Sequence, residues 1–284
     1  MHAKAIEIVK ICRKEKEGYR MKVGIIGLGN MATAVLEGML SSKMVTKGDV
    51  VGSAKSEMTC QNAIAKYDIE AKTDNKWVAK QADILVLAVK PQFLESVCEE
   101  IKDVLNKEQL IISLAAGKNL EWLESNLGNN MKIMRLMPNT AALVSESCTA
   151  ICRGKNATDK DLELTLNICK SFGGASVIDE KLMNPFIGVS GSSVAYAFMY
   201  MEALADGAVA AGMPRNMAYE FAAQSTLGAA KLMLETKQHP GVLKDMVCSP
   251  GGTTIKAVES LENNGFRGAV MSAVKACIDR ANEL

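Results

Sequence analysis

The order of hydrophobic and polar positions changes character near Pro185. Before that point, short apolar runs alternate with segments of helical periodicity. The segments between the runs, such as 30–40 and 57–66, predict helices, and the runs themselves, rich in Val, Ile and Leu, predict buried strands at 22–26, 50–51, 83–89, 110–114 and 132–135. Strands separated by helices of this length predict βαβ units, and therefore a parallel, doubly wound α/β sheet.

Beyond Pro185 the pattern predicts helices only. They are expected at 186–211, at 214–236, around Leu243, at 253–262 and at 266–284. An apolar half made of helices rarely closes its own core, so we expect a dimer built from interlocked helices. The predicted organisation is an N-terminal extension at 1–20, an α/β domain at 21–183 and an all-α dimerisation and substrate domain at 184–284.

Composition narrows the class of protein. The 284 residues are 48% hydrophobic and 23% charged, which excludes a mainly disordered chain, and a formal net charge of +1 argues against nucleic acid as a partner. Eight cysteines without C-x-x-C spacing are typical of reduced thiols in a cytoplasmic protein. Residues 1–20 lack the apolar core of a cleavable signal, and the uncharged stretch 184–201 indicates a core or interface helix rather than a membrane span.

The chemistry available to the chain is limited by its two histidines. His2 and His239 are too few and too distant for a His-rich metal site, so no metal is expected, and they argue against Ser-His-Asp chemistry.

A glycine-rich turn follows the first predicted strand and opens a helix. It reads Gly27-Leu28-Gly29-Asn30-Met31-Ala32. The first glycine permits a tight turn, the second lets the backbone approach a pyrophosphate, and Ala32 keeps the helix close to the strand. The phosphates then lie at a helix N-terminus, where free N–H groups favour negative charge. This motif, between a strand and a helix, predicts a Rossmann-type dinucleotide-binding domain.

Three later strand ends indicate how the dinucleotide is held. The second strand ends in Gly52-Ser53-Ala54-Lys55-Ser56, without the acidic residue that usually binds the ribose of NAD, which favours NADPH while leaving NADH possible. The turns Ala88-Val89-Lys90-Pro91 and Ala115-Ala116-Gly117 end two further strands at the same sheet edge. Their small residues leave room for the nicotinamide ribose.

With these motifs, two others make the chain from Met21 onward resemble the pyrroline-5-carboxylate reductases. They are Met137-Pro138-Asn139-Thr140 and the run LKDMVCSPGGTT from Leu243 to Thr254, continued by Gly265-Phe266-Arg267. The resemblance implies an enzyme that uses NADPH to reduce the cyclic imine Δ1-pyrroline-5-carboxylate to L-proline, the last step of proline biosynthesis. It also implies an N-terminal Rossmann domain that binds NADP, a helical dimerisation domain, and dimers assembled into a decamer.

The resemblance also assigns residues to the site. Thr254 is expected to hydrogen-bond the ring nitrogen as the catalytic residue. The expected substrate contacts are Thr254, Thr253, Gly251, Gly252, Glu180 and Ser190, the last two reaching the pocket from the other domain. The expected cofactor contacts are Gly27, Leu28, Gly29, Asn30 and Met31 at the pyrophosphate, Ser53, Ala54, Lys55 and Ser56 at the 2′-phosphate, Asn75 near the adenine ribose, and Ala88, Val89, Lys90, Pro91, Ala115, Ala116 and Gly117 on the nicotinamide side.

Other interpretations stay open at this level. The run from Pro250 to Thr254 could be a tight turn with a threonine N-cap, without a catalytic role. Ser193-Val194 and Met246 depart from the family pattern, which bears on ring size and is the support for a non-catalytic nucleotide-binding paralogue. Another Rossmann oxidoreductase, such as a β-hydroxyacid dehydrogenase, would want a lysine on the long helix after Pro185, and none occurs before Pro214.

Overall fold

The computed structural model describes residues 21–283, so the predicted extension at 1–20 lies outside the described residues. The described chain contains one sheet with the strand order β3-β2-β1-β4-β5-β6-β7-β8. Its strands are β1 (Val23–Ile26), β2 (Val50–Ser53), β3 (Glu70–Lys72), β4 (Ile84–Leu87), β5 (Leu110–Ser113), β6 (Lys132–Met137), β7 (Ser147–Arg153) and β8 (Gly173–Val177).

Helices connect the strands and make up the rest of the described chain. Six belong to the sheet region: α1 (Asn30–Ser41), α2 (Glu57–Tyr67), α3 (Asn75–Gln81), α4 (Pro91–Ile101), α5 (Leu120–Leu127) and α6 (Asp159–Lys170). Those that follow are α7 (Met183–Phe186), α8 (Ser193–Ala210), α9 (Arg215–Thr236), α10 (Pro240–Met246), α11 (Thr253–Asn263) and α12 (Phe266–Asn282).

The predicted doubly wound sheet is confirmed, with one correction. Strands β1 to β6 are parallel and follow the 3-2-1-4-5-6 order of a Rossmann sheet, whose switch point lies between β1 and β4. The sheet is not wholly parallel, because β7 pairs with β6 in the antiparallel sense. The sequence pattern also missed β3, β7 and β8.

Both faces of the central strands of the sheet are covered. Every residue of β1, β4 and β5 is buried, and alternate residues enter two separate cores. Val23 and Ile25 belong to one core, whereas Ile26 and Leu85 belong to the other. This burial on both sides explains why the parallel strands are continuous apolar runs rather than alternating ones.

The described chain divides into two compact units. One contains the residues up to Gly191 together with the end of the chain from Ala281, and the other is Ser192–Arg280. The domain boundary that the sequence indicates at 183/184 stays a prediction. The sequence pattern also predicts a continuous helix at 186–211. Instead, the short helix α7 leads into a π-helical turn at Ile187–Gly191 before α8 begins.

The second unit has almost no interior of its own. Its buried residues are three alanines, Ala205, Ala218 and Ala222. Large apolar side chains are exposed along its helices, with Phe198 63% and Leu234 78% exposed. None of the helices described between residues 21 and 283 is long and apolar enough to cross a membrane.

Candidate active site

The glycine-rich turn after β1 forms a cradle for phosphates. Gly27 has φ +95°, and a Cβ there would lie 2.8 Å from the carbonyl oxygen of Ala88, so only glycine fits. Gly29 is the N-cap of α1, makes no side-chain cap hydrogen bond, and faces open space where a Cβ would be. The first-turn N–H groups of α1 therefore point into an open cradle, which fits a dinucleotide pyrophosphate.

A cavity of about 390 Å³ extends from this turn along the sheet edge. Among its lining residues, Gly27 follows β1, Lys55 follows β2, Asn75 opens α3, and Phe93 and Glu100 belong to α4. The Lys55 Nζ lies 5.0 Å from the centroid of the Phe93 ring. An exposed cation held on an aromatic ring is positioned for an anionic group of a ligand.

The four residues expected at the 2′-phosphate have different surroundings. Lys55 is exposed at the cavity and Ala54 lines it. The Ser56 hydroxyl caps α2 by accepting from the N–H of Thr59 at 3.2 Å. Ser53 is fully buried, and its hydroxyl donates to Asn75 Oδ1 at 2.7 Å. Ser53 therefore orients a residue of the cavity wall, and Lys55 presents the positive charge.

The two small-residue turns lie on the same edge of the sheet. Ala88 follows β4 directly, and its N–H donates to the carbonyl of Ile26 at 2.9 Å, next to the phosphate cradle. Lys90 is the N-cap of α4 and Pro91 its first residue. After β5, Ala115 is 3% exposed and Gly117 has φ +76°, so the chain turns sharply there. The expected cofactor residues of the first unit are thus brought to one edge.

Glu180 lies in the first unit, against a residue that sequence analysis missed. Its Oε1 accepts from Arg135 Nη1 at 2.7 Å and from the N–H of Leu120 at 2.8 Å. The Arg135 side chain is 7% exposed and that of Glu180 29%. Within the first unit this carboxylate ties β6 to the start of α5, and its expected contact with the substrate stays a prediction. The signal available in the sequence was Arg135, a charged residue in the middle of the strand KIMRLM.

Ser190 is also held within the first unit. It is 6% exposed, and its hydroxyl donates to the carbonyl of Cys148 at 3.2 Å. Asn139 Nδ2 donates to the Ser190 carbonyl at 3.2 Å, and Asn139 Oδ1 accepts from the N–H of Ala141 at 3.2 Å. In this arrangement the Ser190 hydroxyl fixes the π-helical turn. Asn139, which lies in the motif that follows β6, is a second residue that the predicted site did not include.

The C-terminal turn is built around two glycines. Gly251 has φ +68°, and Gly252 is the N-cap of α11, with no side-chain cap hydrogen bond. Thr253 and Thr254 are the first two residues of the helix, and both are exposed. The interpretation of a threonine N-cap is wrong, because glycine occupies that position. The Thr254 hydroxyl therefore lies beside free first-turn N–H groups, a combination that suits a small carboxylate ligand.

Other reactive side chains have structural roles or are inert. His239 caps α10, with Nδ1 accepting from the N–H of Gly241 at 3.1 Å. Burial raises the pKa of the Cys98 thiol, and that of Cys169, to about 12, so neither forms a thiolate near neutral pH. Burial raises the pKa of the Tyr196 hydroxyl by removing water from it, and its contact with Cys277 adds a smaller effect in the same direction. The prediction of unpaired cysteines holds for the seven described ones, which are free.

Comparison with known proteins gives matches across the chain. Residues 180–284 match the family model described as pyrroline-5-carboxylate reductase dimerisation, and residues 22–117 match the model described as NADP oxidoreductase, coenzyme F420-dependent. The pyrroline-5-carboxylate reductase of Escherichia coli is 47% identical over 263 residues, which are 93% of this chain and 98% of that protein.

Solved structures give the same result for the fold. A pyrroline-5-carboxylate reductase from Coxiella burnetii has a TM-score of 0.86 and is 33% identical, with 93% of this chain and 98% of that chain covered. The pyrroline carboxylate reductase of Plasmodium falciparum, solved with NADP bound, has a TM-score of 0.83 and is 32% identical, with 92% and 97% covered. Both likenesses extend over nearly the full length of each chain.

Proposed function

Because the chain belongs to the pyrroline-5-carboxylate reductase family, we propose that it reduces the C=N bond of Δ1-pyrroline-5-carboxylate to give L-proline, with NADPH as the reductant. The observation that carries this proposal is the 47% identity to the E. coli enzyme over 98% of its length. That match includes both the phosphate cradle after β1 and the glycine turn before α11. The reaction adds a hydride to the imine carbon and a proton to the nitrogen.

The cradle and the cavity are the proposed dinucleotide site. Backbone N–H groups at the start of α1 hold the pyrophosphate, and Lys55 faces the 2′-phosphate. Ala88 and Ala115, at the ends of β4 and β5, leave space on the nicotinamide side. When bound, NADPH supplies the hydride. The solved relative with NADP bound supports this choice of dinucleotide. NADH remains usable, because Lys55 adds affinity for the 2′-phosphate without excluding a cofactor that lacks it.

The glycine turn before α11 is the proposed substrate site. The backbone of Gly251, Gly252 and Thr253 binds the carboxylate of the ring at the helix N-terminus, and the Thr254 hydroxyl hydrogen-bonds the ring nitrogen. Orientation of the ring supplies much of the rate enhancement, because a protonated imine needs no strong acid beside it. Glu180 and Ser190 contribute by fixing the segments described above.

The chain self-associates through its C-terminal helices, since residues 180–284 match a dimerisation family model and expose large apolar side chains. We further propose that the dimers assemble into a decamer and that the protein is cytoplasmic. The free thiols of its described cysteines support a reducing compartment. Light scattering tests the assembly, and a mass near ten times 30.5 kDa is expected.

The experiment that tests the reaction is a turnover assay with purified protein. NADPH oxidation should require the pyrroline substrate and yield one proline for each NADPH consumed. A 2-keto acid or 3-hydroxy acid, offered with the matching cofactor, should give no turnover. Turnover of such an acid without imine reduction would contradict the proposal, and binding of NADPH without any turnover would identify a non-catalytic paralogue.

A further inference from the structure

The cavity contains a carboxylate that the proposed reaction does not use. Glu100 lies near the C-terminal end of α4, is half-buried and lines the cavity. Its Oε2 accepts from Asn75 Nδ2 at 2.7 Å. The partner is a neutral amide, so this contact leaves the negative charge of Glu100 uncompensated. A partly buried carboxylate aimed at a ligand cavity needs an explanation, because placing it there costs solvation.

Glu100 also determines which way the Asn75 amide points. A carboxylate only accepts hydrogen bonds, so the amide must turn Nδ2 toward it and Oδ1 toward Ser53. The buried Ser53 hydroxyl then donates to that oxygen at 2.7 Å. Ser53, Asn75 and Glu100 thus form a chain with one consistent direction. The amide keeps a second N–H, and the carboxylate keeps a second oxygen, for a ligand.

The location of this pair within the cavity indicates which part of a dinucleotide it meets. The strands lie in the order β1, β2, β3; Gly27 and Lys55 follow the first two, and Asn75 opens the helix after the third. A dinucleotide places its pyrophosphate at β1 and its adenosine ribose at the end of β2, where Ser53 contacts Asn75, so the base lies farther out, on the Glu100 side of Asn75. Phe93 and Glu100 are seven residues apart on α4, about 10 Å along its axis, so Glu100 lies far from the Lys55 end.

We propose that Glu100 selects the base of the cofactor by accepting a hydrogen bond from the 6-amino group of adenine, with the Asn75 amide beside it. Adenine presents an amino donor next to ring-nitrogen acceptors, which complements a carboxylate next to an amide N–H. A 6-oxo base replaces that amino donor by an acceptor oxygen, so the hydrogen bond to the carboxylate is lost and the two oxygens repel each other. This inference rests on the proposed function only in requiring that the ligand is an adenine dinucleotide.

Equilibrium binding to the full chain tests the assignment without turnover. The ligands are NADP⁺, NAD⁺ and their deamino forms, in which hypoxanthine replaces adenine. The wild type should bind each adenine form about tenfold or more tightly than its deamino form, the scale of one charge-assisted hydrogen bond. In Glu100→Gln the amide can turn and donate to the 6-oxo group, so the ratio should fall to about threefold or less. Glu99→Gln, which neutralises an exposed neighbour on α4, should keep the wild-type ratio.

Each outcome decides the assignment. An unchanged adenine-to-deamino ratio in Glu100→Gln overturns it, and so does a change confined to the NADP⁺-to-NAD⁺ ratio, which would assign Glu100 to the ribose. If Glu100→Gln does not fold, Glu100→Asp keeps the charge but withdraws it by one methylene, and the same loss of discrimination is expected. Failure of the proposed function looks different, because the base preference would persist while the imine is not reduced.

Discussion

At the scale of single residues, the proposed site uses two side chains that contribute little to the stability of the fold. Thr254 lies in the first turn of α11, where Gly252 serves as the N-cap. Lys55 is stabilised by an aromatic ring rather than by a carboxylate, with Nζ 5.0 Å from the Phe93 centroid. Both side chains can therefore be altered with little effect on folding, which makes their contributions to catalysis and binding measurable.

Thr254→Ala should lower kcat more than it raises KM, by about one to two decades, because a bond to nitrogen strengthens as the imine becomes an amine. Thr254→Ser should retain much of the activity, since only a methyl group is lost. The melting temperature of both variants should match the wild type, because glycine caps the helix. A destabilised alanine variant with normal kcat would remove Thr254 from the active site.

Lys55→Ala should narrow the advantage of NADPH over NADH in kcat/KM by up to about tenfold, because one charge-assisted contact to the 2′-phosphate is lost. The effect should shrink at high salt, as expected for an exposed cation. Steady-state assays with both reductants measure it. Lys43→Ala, which removes an exposed lysine outside the cavity lining, should leave the NADPH-to-NADH ratio of kcat/KM unchanged. If Lys55→Ala lowers kcat/KM equally with NADPH and with NADH, Lys55 does not bind the 2′-phosphate.

At the scale of elements, the ion pair between Arg135 and Glu180 joins β6 to the segment after β8, and its carboxylate also accepts from the start of α5. Arg135 is almost fully buried, whereas Glu180 reaches solvent on one side. The cost of removing one partner therefore differs from the cost of removing the other. Removing the carboxylate leaves a buried cation without a partner, while removing the cation leaves a carboxylate that water can still reach.

Glu180→Ala should therefore destabilise the protein more than Arg135→Met does. The expected loss for Glu180→Ala is about 2–3 kcal/mol, below the usual cost of breaking a fully buried pair because Glu180 is partly exposed. Thermal or urea unfolding, recorded at one protein concentration, gives the comparison. Equal losses of stability in the two variants would show that the burial of Arg135 does not determine the cost of breaking the pair. A loss of substrate affinity in Glu180→Ala without a loss of stability would support its predicted contact with the substrate.

Elements whose signal is local could be predicted from the sequence. The strands β1 and β4 are buried on both faces and were predicted from their continuous apolar runs. Strand β8, by contrast, begins with Gly173 and Gly174 and is mostly exposed, so neither β propensity nor burial marked it. The Arg135–Glu180 and Asn75–Glu100 contacts join residues 45 and 25 positions apart. Only the path of the chain brings such pairs together.

At the scale of the whole molecule, the second unit depends on another copy of the chain. Its helices bury three alanines and expose residues such as Phe198 and Met271, far more apolar surface than a stable monomer usually presents. Such surface is removed from water by a second copy, and the match to the dimerisation family model agrees with this.

Phe198→Asp should lower the mass of the assembly, because a charge would be buried without a partner between copies. Light scattering at micromolar concentration measures the change. Lys231→Glu, which alters an exposed charge on α9 without touching an apolar side chain, should keep the wild-type mass. An unchanged mass for Phe198→Asp would place its ring outside the contact between copies.

The near absence of an interior in the second unit has a consequence for how the protein's stability is measured. For this unit, folding and association become one equilibrium, so the law of mass action enters its unfolding transition. Dilution then acts as a denaturant, and the melting temperature rises with the logarithm of protein concentration. A single free energy of unfolding describes this chain only when the concentration of protomers is stated with it, in the test tube and in the cell alike.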